Sequence, residues 1–408
     1  MRYNIRKWNP WLISIPDLSV GMFWALTGTI APWIIYQYTD SAAKVGLLMS
    51  MGALTGIFVQ VISGIISDKT PFTHRWGKRT PWILGGAGVA AISMLLWPMA
   101  PNFNVLFVID FITYFAVNFF QGPYYTMVME VVDKDQIGYS NSLARTTAGV
   151  GGALISLAAA WIWHTGGAVT SALVIALCLV LPCVAVLPWL VKERPENIVL
   201  STNYKLGFDF IKRPRALQLF FAAFCIFGAY GCLVPMLVPY FNQHLGFSKD
   251  TVAFGMTLYS IAGIIYGLFV GRFNDKFDKN KVYLCASGVF LLAIFCGNLI
   301  THSRAAFYLF IAVAGAGLMA SNIAIYTLLP NIAPRQRLGE YQGLLNLFIS
   351  LPQFLVMIIM GELIDRGLAS YLYPIATIMA VLAVLIMIPK LNAQTEEQAS
   401  PVEHEAQQ

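Results

Sequence analysis

The sequence predicts an all-α polytopic membrane protein with twelve transmembrane helices in two six-helix bundles. Three observations predict this fold class. Hydrophobic residues make up 58% of the 408 residues and charged residues only 11%, whereas soluble domains are about 25% charged. Apolar runs of about 20 residues, the length that crosses a bilayer core about 30 Å thick, recur along nearly the whole chain. One short charged motif also occurs at corresponding places in the two halves, as in transporters built from repeats.

The apolar runs define the predicted membrane spans. Each run is helix-length and is bounded by charged residues, prolines or short polar turns. In chain order, spans 1 to 12 are predicted over residues 13–38, 43–67, 81–100, 104–129, 139–163, 170–191, 216–243, 251–272, 281–301, 304–330, 341–364 and 370–390.

Basic residues predict the orientation of these spans. With both termini in the cytoplasm, 21 Lys and Arg residues fall in cytoplasmic segments and four, Lys44, Lys249, Arg304 and Arg366, fall on the opposite side. Cytoplasmic segments of membrane proteins are rich in Lys and Arg, so both termini are expected to be cytoplasmic. The same distribution accounts for the net charge of +6 without a nucleic-acid partner. The expected location is the cytoplasmic (inner) cell membrane.

The domain organisation follows from the longest polar interruption. Residues 192–215 contain charges of both signs and two prolines, and they are interpreted as a cytoplasmic linker. It separates an N-terminal six-helix bundle over 1–191 from a C-terminal bundle over 216–390. The tail over 391–408 is polar, acidic and free of aromatic residues, so it is expected to be disordered.

The repeated motif has the pattern Gly-x-x-x-Asp-Lys and closes predicted spans 2 and 8. Its glycines permit another helix to approach closely. Its aspartates, Asp68 and Asp275, can bond the free amides at the start of a neighbouring helix and pair with basic residues, which would latch the two bundles together. Alternatively, they only solvate helix ends. The predicted gating set comprises Gly64, Asp68, Arg75, Lys78, Arg79, Gly271, Asp275 and Lys276.

Four passages carry a family resemblance. They are Gly21–Leu26 in span 1, Ser67–Thr70 with Arg75–Ile83 in the first charged loop, Gln121–Pro123 in span 4, and Gly343–Asn346 with Pro352-Gln353 in span 11. They resemble the major facilitator superfamily, and within it the proton-coupled sucrose and maltose type symporters and their bacterial relatives. The resemblance implies a major facilitator fold, alternating access, and a cavity lined by spans 1, 4, 7 and 10.

The chain departs from the sugar symporters in span 4. Those proteins have an Asp nine positions before the proline and an Arg two positions after it, where this chain has Tyr114 and Tyr125. Asp110 lies one helical turn before Tyr114 on the same face, so it is a candidate for the proton-exchanging carboxylate. The alternative is a solvated carboxylate near the outer mouth.

Three further charged residues lie within or at the ends of spans. Arg145 falls about two turns into span 5, and Asp17 has a similar depth in span 1. Ionisable groups within a bilayer are expensive and usually have a partner. The sequence leaves three alternatives open for Arg145, namely a pair with Asp17, a pair with Glu130, or no stable pair.

Polar uncharged residues in the spans are candidates for substrate binding, because a sugar stripped of water needs hydrogen bonds. They can equally hold helices together. Trp24 can stack on the apolar face of a sugar or pack against other helices. The candidate set is Trp24, Tyr114, Asn118, Gln121, Tyr230, Asn322, Tyr326, Asn346 and Gln353.

The predicted function is secondary active transport. No nucleophile elbow, phosphate loop or metal-ligand spacing occurs, so an enzyme, a metal site and a bound cofactor are not expected. The solute is expected to be small and polar, a sugar or glycoside, moved with a proton by a monomer that contacts only this solute and membrane lipid. The alternatives are a proton-coupled efflux antiporter for drugs or metabolites, and a non-transporting sensor or lipid-handling protein.

Overall fold

The structure is a computed structural model that describes residues 5–71, 77–132, 137–191, 193, 208–297, 300, 303–333 and 338–389. The described part of the chain is almost entirely helical. Its α-helices are α1 (Ile5–Ser14), α2 (Pro16–Ile35), α3 (Ala42–Lys69), α4 (Thr80–Leu96), α5 (Phe103–Glu130), α6 (Ile137–Val186), α7 (Pro214–Leu233), α8 (Lys249–Lys276), α9 (Lys279–Gly297), α10 (Arg304–Leu328), α11 (Leu338–Asp365) and α12 (Leu372–Met387).

Short polar residues and prolines set the starts of these helices. Ser41, Asn102 and Ser303 precede α3, α5 and α10, and each side-chain oxygen accepts a hydrogen bond from the backbone amide three residues later, at 3.2, 3.0 and 3.3 Å. These caps satisfy amides that have no partner within the helix. Pro16 and Pro214 instead open α2 and α7, at positions where the missing amide costs nothing.

The helical membrane fold is confirmed, with one helix that contains two predicted spans. Ten helices in the described ranges are long and apolar enough to cross a membrane. One of them lies in α6, whose 50 residues would extend about 75 Å as one straight helix, more than twice a bilayer core. The α6 backbone breaks at Gly166 and Gly167, where Gly167 has a φ of +58°, between predicted spans 5 and 6. The count of twelve spans and the cytoplasmic termini stay predictions.

Prolines occur within two of the predicted spans. In span 1, predicted over 13–38, α2 begins at Pro16, but Ile15 before it keeps helical backbone angles, and Asn9–Ile35 is one apolar helical stretch long enough to cross a membrane. Span 7, predicted over 216–243, leaves the α-helix after Leu233, and Val238–His244 form a separate π-helical turn. Two prolines in this stretch lack the backbone N–H that a continuous α-helix needs.

Two helix pairs make most of the described contacts between the N-terminal half, α2–α6, and the C-terminal half, α7–α12. In these pairs α3 packs against α11, and α6 packs against α8. We call the end of the bundle at which α3 begins and α11 ends the outer end, and the opposite end the inner end, following the orientation that the basic residues predict. The proposed linker at 192–215 lies mostly outside the described residues, so the domain boundaries stay predictions.

Four glycines show how α3 and α11 diverge along their length. At the outer end, a Cβ on Gly46 would lie 2.4 Å from the Met357 carbonyl oxygen, and one on Gly361 would lie 2.5 Å from that of Ala42. Gly64 and Gly343 lie 18 residues further along the same helices, which is five turns of 3.6 residues and therefore the same face. There a Cβ would meet no atom of the described residues within 4 Å. The two helices thus touch at the outer end and separate toward the inner end.

Candidate functional site

Arg145 lies in a cluster of four residues that come from both halves of the protein. The Arg145 side chain, from α6, is exposed, and its Nη1 donates a hydrogen bond to the Tyr125 hydroxyl of α5 at 3.3 Å. Its guanidinium carbon lies 4.6 Å from the centre of the Tyr125 ring, a cation–π contact. From the other half, the Tyr326 hydroxyl donates to Asn346 Oδ1 at 3.1 Å and interacts electrostatically with Arg145 and Tyr125. We call these four residues the Arg145 cluster.

Asp17 lies beside this cluster at the start of α2. It is fully buried, and both carboxylate oxygens lack a hydrogen-bond partner among the described residues. It interacts electrostatically with Arg145. Asp17 and Arg145 thus interact electrostatically, but the described part of the chain shows no direct hydrogen bond between them, so a stable pair between them stays a prediction.

Glu130, the other proposed partner of Arg145, is engaged elsewhere. Its two carboxylate oxygens accept hydrogen bonds from Nε and Nη2 of Arg79, both at 2.6 Å. Arg79 is buried and also donates from Nη1 to Ser67 Oγ at 2.6 Å. The bidentate pair connects the inner end of α5 to Arg79, the residue before α4, and the bond to Ser67 connects Arg79 to the inner end of α3.

Glu193 completes this inner network from the segment after α6. Its carboxylate accepts hydrogen bonds from the backbone amides of Lys78, Arg79 and Thr80, at 2.7, 2.8 and 3.0 Å, and so caps the N-terminus of α4. Gly77 has a φ of +70°, and a Cβ there would lie 2.5 Å from the Glu193 carboxyl carbon, so the turn requires glycine. The described end of the predicted charged loop, from Gly77 onward, thus makes these contacts within the N-terminal half.

The remaining gating residues are only partly described. Gly64 and Asp68 lie in α3, and Gly271, Asp275 and Lys276 lie in α8. The side chains of Asp68 and of residues 271–276 lie outside the described part of the structure, as does Arg75. The latch between Asp68 or Asp275 and the opposite bundle stays a prediction.

Asp110 is buried in α5. Its exposed fraction is 0%, and neither carboxylate oxygen has a hydrogen-bond partner within the described ranges. It interacts electrostatically with the Tyr114 hydroxyl one turn later. The alternative of a solvated carboxylate at an outer mouth does not match this burial, whereas a proton-exchanging role stays a prediction.

Two of the predicted substrate contacts form hydrogen bonds between α3 and α5. Asn118 Nδ2 donates to the Gly52 carbonyl at 3.0 Å and to Thr55 Oγ1 at 2.9 Å. Gln60 Nε2 donates to Asn118 Oδ1 at 2.8 Å and to Gln121 Oε1 at 3.2 Å. Asn118 and Gln121 are buried, which favours the alternative that these two hold helices together. Gln60, a polar residue within span 2, is absent from the predicted set although its position in an apolar run could have singled it out.

The other predicted contacts fall into two groups. Trp24 is 37% exposed and stacks on the buried Tyr114 ring, with centroids 5.8 Å apart. Tyr230, Asn322 and Gln353 are half-buried. Of the C-terminal residues in the set, Tyr326 and Asn346 are the pair that the structure joins by a hydrogen bond.

A polar contact at the outer end is missing from the sequence predictions. The carboxylate of Asp365, the last residue of α11, accepts hydrogen bonds from the backbone amides of Ala42 and Ala43, at 2.6 and 2.9 Å. It also accepts one from Ser41 Oγ at 2.5 Å. We call this contact the outer contact. An Asp at the end of one span and a Ser before another were visible in the sequence, but nothing in it pairs them.

The α6–α8 pair also makes polar contacts at the outer end. The Lys249 ammonium lies 4.2 Å from the centre of the Trp163 ring and 5.4 Å from that of Trp33. Burial lowers the pKa of Lys249 below the ordinary lysine value. His164 and Asp250, both exposed, lie 3.3 Å apart. The outer contact differs from these in that one carboxylate accepts three hydrogen bonds from the other half.

Comparisons with known proteins agree with the helical architecture. A family model described as Major Facilitator Superfamily matches residues 18–217 and 219–407. Two solved structures of a bacterial homologue of the human lysosomal transporter Spinster, inward-facing and either occupied or unoccupied, are similar, with TM-scores of 0.68 and 0.70. Each is 14% identical and covers 95% of this chain and 96% of that one, a level of identity that concerns the fold alone.

Relatives in sequence are also transporters by name. The sphingosine-1-phosphate transporter MFSD2B of Xenopus tropicalis is 24% identical over 348 residues, which cover 74% of this chain and 67% of that protein. The uncharacterized MFS-type transporter Rv1877 of Mycobacterium tuberculosis (strain ATCC 25618 / H37Rv) is 27% identical over 141 residues. That match spans 34% of this chain but only 19% of the mycobacterial protein.

Proposed function

This chain belongs to the major facilitator superfamily, and we propose that it is a secondary transporter that binds a polar solute between its halves. The observation that supports the proposal is the Arg145 cluster, which contains side chains of α5 and α6 from one half and of α10 and α11 from the other, with electrostatic interaction between Arg145 and Tyr326. A solute bound there contacts both halves, so its binding can shift the equilibrium between outward-open and inward-open arrangements. Members of this superfamily are generally not enzymes, which agrees with the expectation from sequence.

The first candidate activity is symport of a sugar or glycoside with a proton. Three uncharged groups of the Arg145 cluster, Tyr125, Tyr326 and Asn346, can exchange hydrogen bonds with hydroxyl groups. The partly exposed Trp24 ring offers a flat apolar surface. Asp110, buried without a hydrogen-bond partner in the described residues, is the proposed proton site, with Asp17 as the second carboxylate. The resemblance to the sucrose and maltose type symporters supports this candidate.

The second candidate activity is transport of a lipid-like solute with an anionic head group. Two observations favour it. Arg145 is an exposed cation that the structure places against a tyrosine, and guanidinium groups bind phosphate and carboxylate well. A relative that matches 74% of the chain is named as a sphingosine-1-phosphate transporter. A proton-coupled efflux antiporter, which would exchange the solute against protons, and a non-transporting sensor are further alternatives.

Electrical recording from proteoliposomes distinguishes the two candidates. The full-length protein is challenged with sucrose and maltose, with and without a proton gradient, and binding of sphingosine-1-phosphate is measured in parallel. Loss of the Arg145 cation in Arg145→Gln is expected to weaken binding of the active solute about 10- to 100-fold, because a hydrogen bond to a charged group contributes about 1.5–3 kcal/mol. The control is Arg366→Gln, which removes an exposed cation paired with Glu362 on its own helix.

Each outcome of this assay has one interpretation. A sugar-evoked current that requires the proton gradient, and that keeps exchange but loses gradient-driven accumulation in Asp110→Asn, supports the symporter. Saturable binding of the phosphorylated lipid, weakened in Arg145→Gln but not in Arg366→Gln, supports the lipid transporter. If neither solute binds to folded protein, both candidate activities are wrong, and if a solute binds but Arg145→Gln changes nothing, the Arg145 cluster is not its binding site.

A further inference from the structure

We propose that the outer contact of Asp365 with Ser41, Ala42 and Ala43 is a latch that holds the two halves together at the outer end. The carboxylate accepts three hydrogen bonds of 2.5, 2.6 and 2.9 Å from the other half. The two amides belong to the first turn of α3 and have no acceptor within their own helix. Asp365 of the C-terminal half therefore caps the N-terminus of α3 in the N-terminal half.

The position of Asp365 at the end of its own helix also favours its contact with α3. It is the last residue of α11, and a carboxylate at a helix C-terminus lies beside the negative end of the helix dipole, which is unfavourable. The positive N-terminus of α3 reverses that effect when the two helix ends meet. Glu362, one turn before Asp365 in α11, and Arg366, the residue after α11, form an exposed pair with each other and make no comparable contact with α3 in the described structure. Of the acidic residues at this helix end, Asp365 is the one that α3 stabilises.

Glycines bring the two helices close enough for this contact. A Cβ on Gly361, one turn before Asp365, would lie 2.5 Å from the Ala42 carbonyl oxygen and 2.7 Å from the Ala43 Cα. Gly46, one turn into α3, makes the same kind of close approach to Met357. Opening the outer end would separate these backbones and remove all three hydrogen bonds of Asp365 at once. The latch exists only in the outer-closed arrangement, so it shifts the equilibrium toward that arrangement.

Ser41 contributes in two ways to the same latch. Its hydroxyl oxygen accepts a hydrogen bond from the Lys44 amide at 3.2 Å, which caps α3 within its own half. The same hydroxyl donates to Asp365. One residue thus couples the start of α3 to the opposite half, and its removal is expected to weaken the latch less than removal of Asp365.

A reporter cysteine measures the opening of the outer end without any substrate. Met357 lies two turns before Asp365, is 5% exposed, and its carbonyl contacts the Gly46 position, so a cysteine there reacts with a polar maleimide when the helices separate. The full-length Met357→Cys protein is reconstituted in lipid nanodiscs, and modification of this one site is followed by peptide mass spectrometry. Asp365→Ala, Ser41→Ala and, as a control, Glu362→Gln are compared in this background.

The latch predicts an ordered set of rates. Asp365→Ala is expected to accelerate modification about fivefold, which is the size of a lost helix cap, and Ser41→Ala to accelerate it less. Glu362→Gln is expected to react like the parent. Equal rates in Asp365→Ala and the parent, or equal acceleration by Glu362→Gln, would overturn the proposal. If Asp365→Ala does not fold, Asp365→Asn, which keeps one acceptor oxygen, replaces it under the same criteria.

The proposal rests on alternating access, but its failure is distinguishable from a failure of the proposed function. The modification rate is measured in the absence of solute, so it does not depend on which solute is carried. If the protein transports solute but Asp365→Ala does not change the modification rate, the proposed function stands and the latch is refuted. If the modification rates are as expected but the protein binds no solute, the latch stands and the proposed binding site is refuted.

Discussion

The outer and inner ends of the α3–α11 pair differ in what their polar groups connect. At the outer end, Asp365 of one half bonds Ser41 and the first amides of α3 in the other. At the inner end of α3, Arg79 donates hydrogen bonds to Glu130 and to Ser67, all within the N-terminal half. The described inner contacts therefore hold one half together, whereas the outer contact holds two halves in one arrangement.

The same type of interaction, a carboxylate that caps a helix N-terminus, has two different roles at the two ends. Both ends use a carboxylate that caps the free amides of a helix, Glu193 at α4 and Asp365 at α3. A cap within one half persists when the halves move, so it contributes to the stability of the fold. A cap between halves exists in one arrangement only, so it contributes to the conformational equilibrium. Substitutions at the two ends are expected to change different measurable quantities.

The largest effect is expected from Arg79→Gln. Arg79 is 1% exposed and Glu130 13% exposed, and removal of one member of a buried ion pair leaves an uncompensated charge that costs about 3–5 kcal/mol. The melting temperature of the purified protein should fall clearly. The modification rate of the cysteine in Met357→Cys should not change in protein that is still folded, because the pair lies within one half.

The control for this prediction is Arg366→Gln, which breaks an exposed pair on α11 and should change stability by less than about 1 kcal/mol. A melting temperature unchanged by Arg79→Gln would show that the inner network does not stabilise the N-terminal half. A faster cysteine reaction in the same variant would show that the two ends are not independent.

Alanine at Gly361 or Gly343 is expected to have a smaller effect on stability. The effect is destabilising at the outer end and stabilising at the inner end. Gly361→Ala places a methyl group 2.5 Å from the Ala42 carbonyl, and overpacking of this kind costs about 1–3 kcal/mol. It should open the outer end and accelerate the cysteine reaction. Gly343→Ala, five turns away on the same face, meets no described atom within 4 Å and should stabilise α11 by about 0.5–1 kcal/mol.

Both variants are compared by thermal melting and by the cysteine reaction. Acceleration by Gly361→Ala alone would support a tight outer end and an open inner end. Similar effects of the two alanines on both measurements would contradict the conclusion that α3 and α11 touch at the outer end and separate toward the inner end.

Much of the helical architecture could be predicted from local sequence. Span 4, predicted over 104–129, is α5 over Phe103–Glu130, because an apolar run bounded by a capping Asn and a charged residue fixes both ends. The break in α6 at Gly166 falls in the predicted gap between spans 5 and 6. The interruption after Leu233 was not predicted, because the apolar run continues through the two prolines that disrupt the helix.

The candidate site was less predictable because its contacts join residues that are far apart in the chain. Asn118 and Gln121 fall in a span that the family resemblance assigns to the cavity, yet their hydrogen bonds to Gln60 connect α3 with α5. A polar residue in an apolar run indicates that a partner exists but not whether it is a solute or a neighbouring helix. Asp365 and Ser41 are separated by more than 300 residues, so only the packed structure pairs them.

The smallest effect is expected from Lys249→Met on the second outer pair, α6–α8. The Lys249 ammonium lies 4.2 Å from the Trp163 ring centre, and a cation–π contact of this kind contributes about 0.5–1 kcal/mol when it is partly exposed. Burial lowers the pKa of Lys249, which means that desolvation opposes the charged form and reduces the net benefit of the contact. Lys249→Met keeps the length of the side chain and removes the charge, so the cysteine in Met357→Cys should react at most a few times faster, and Lys249→Arg should restore the parent rate. If Lys249→Met instead opened the outer end more than Asp365→Ala, the main closing contact would be α6–α8 and Asp365 would be secondary.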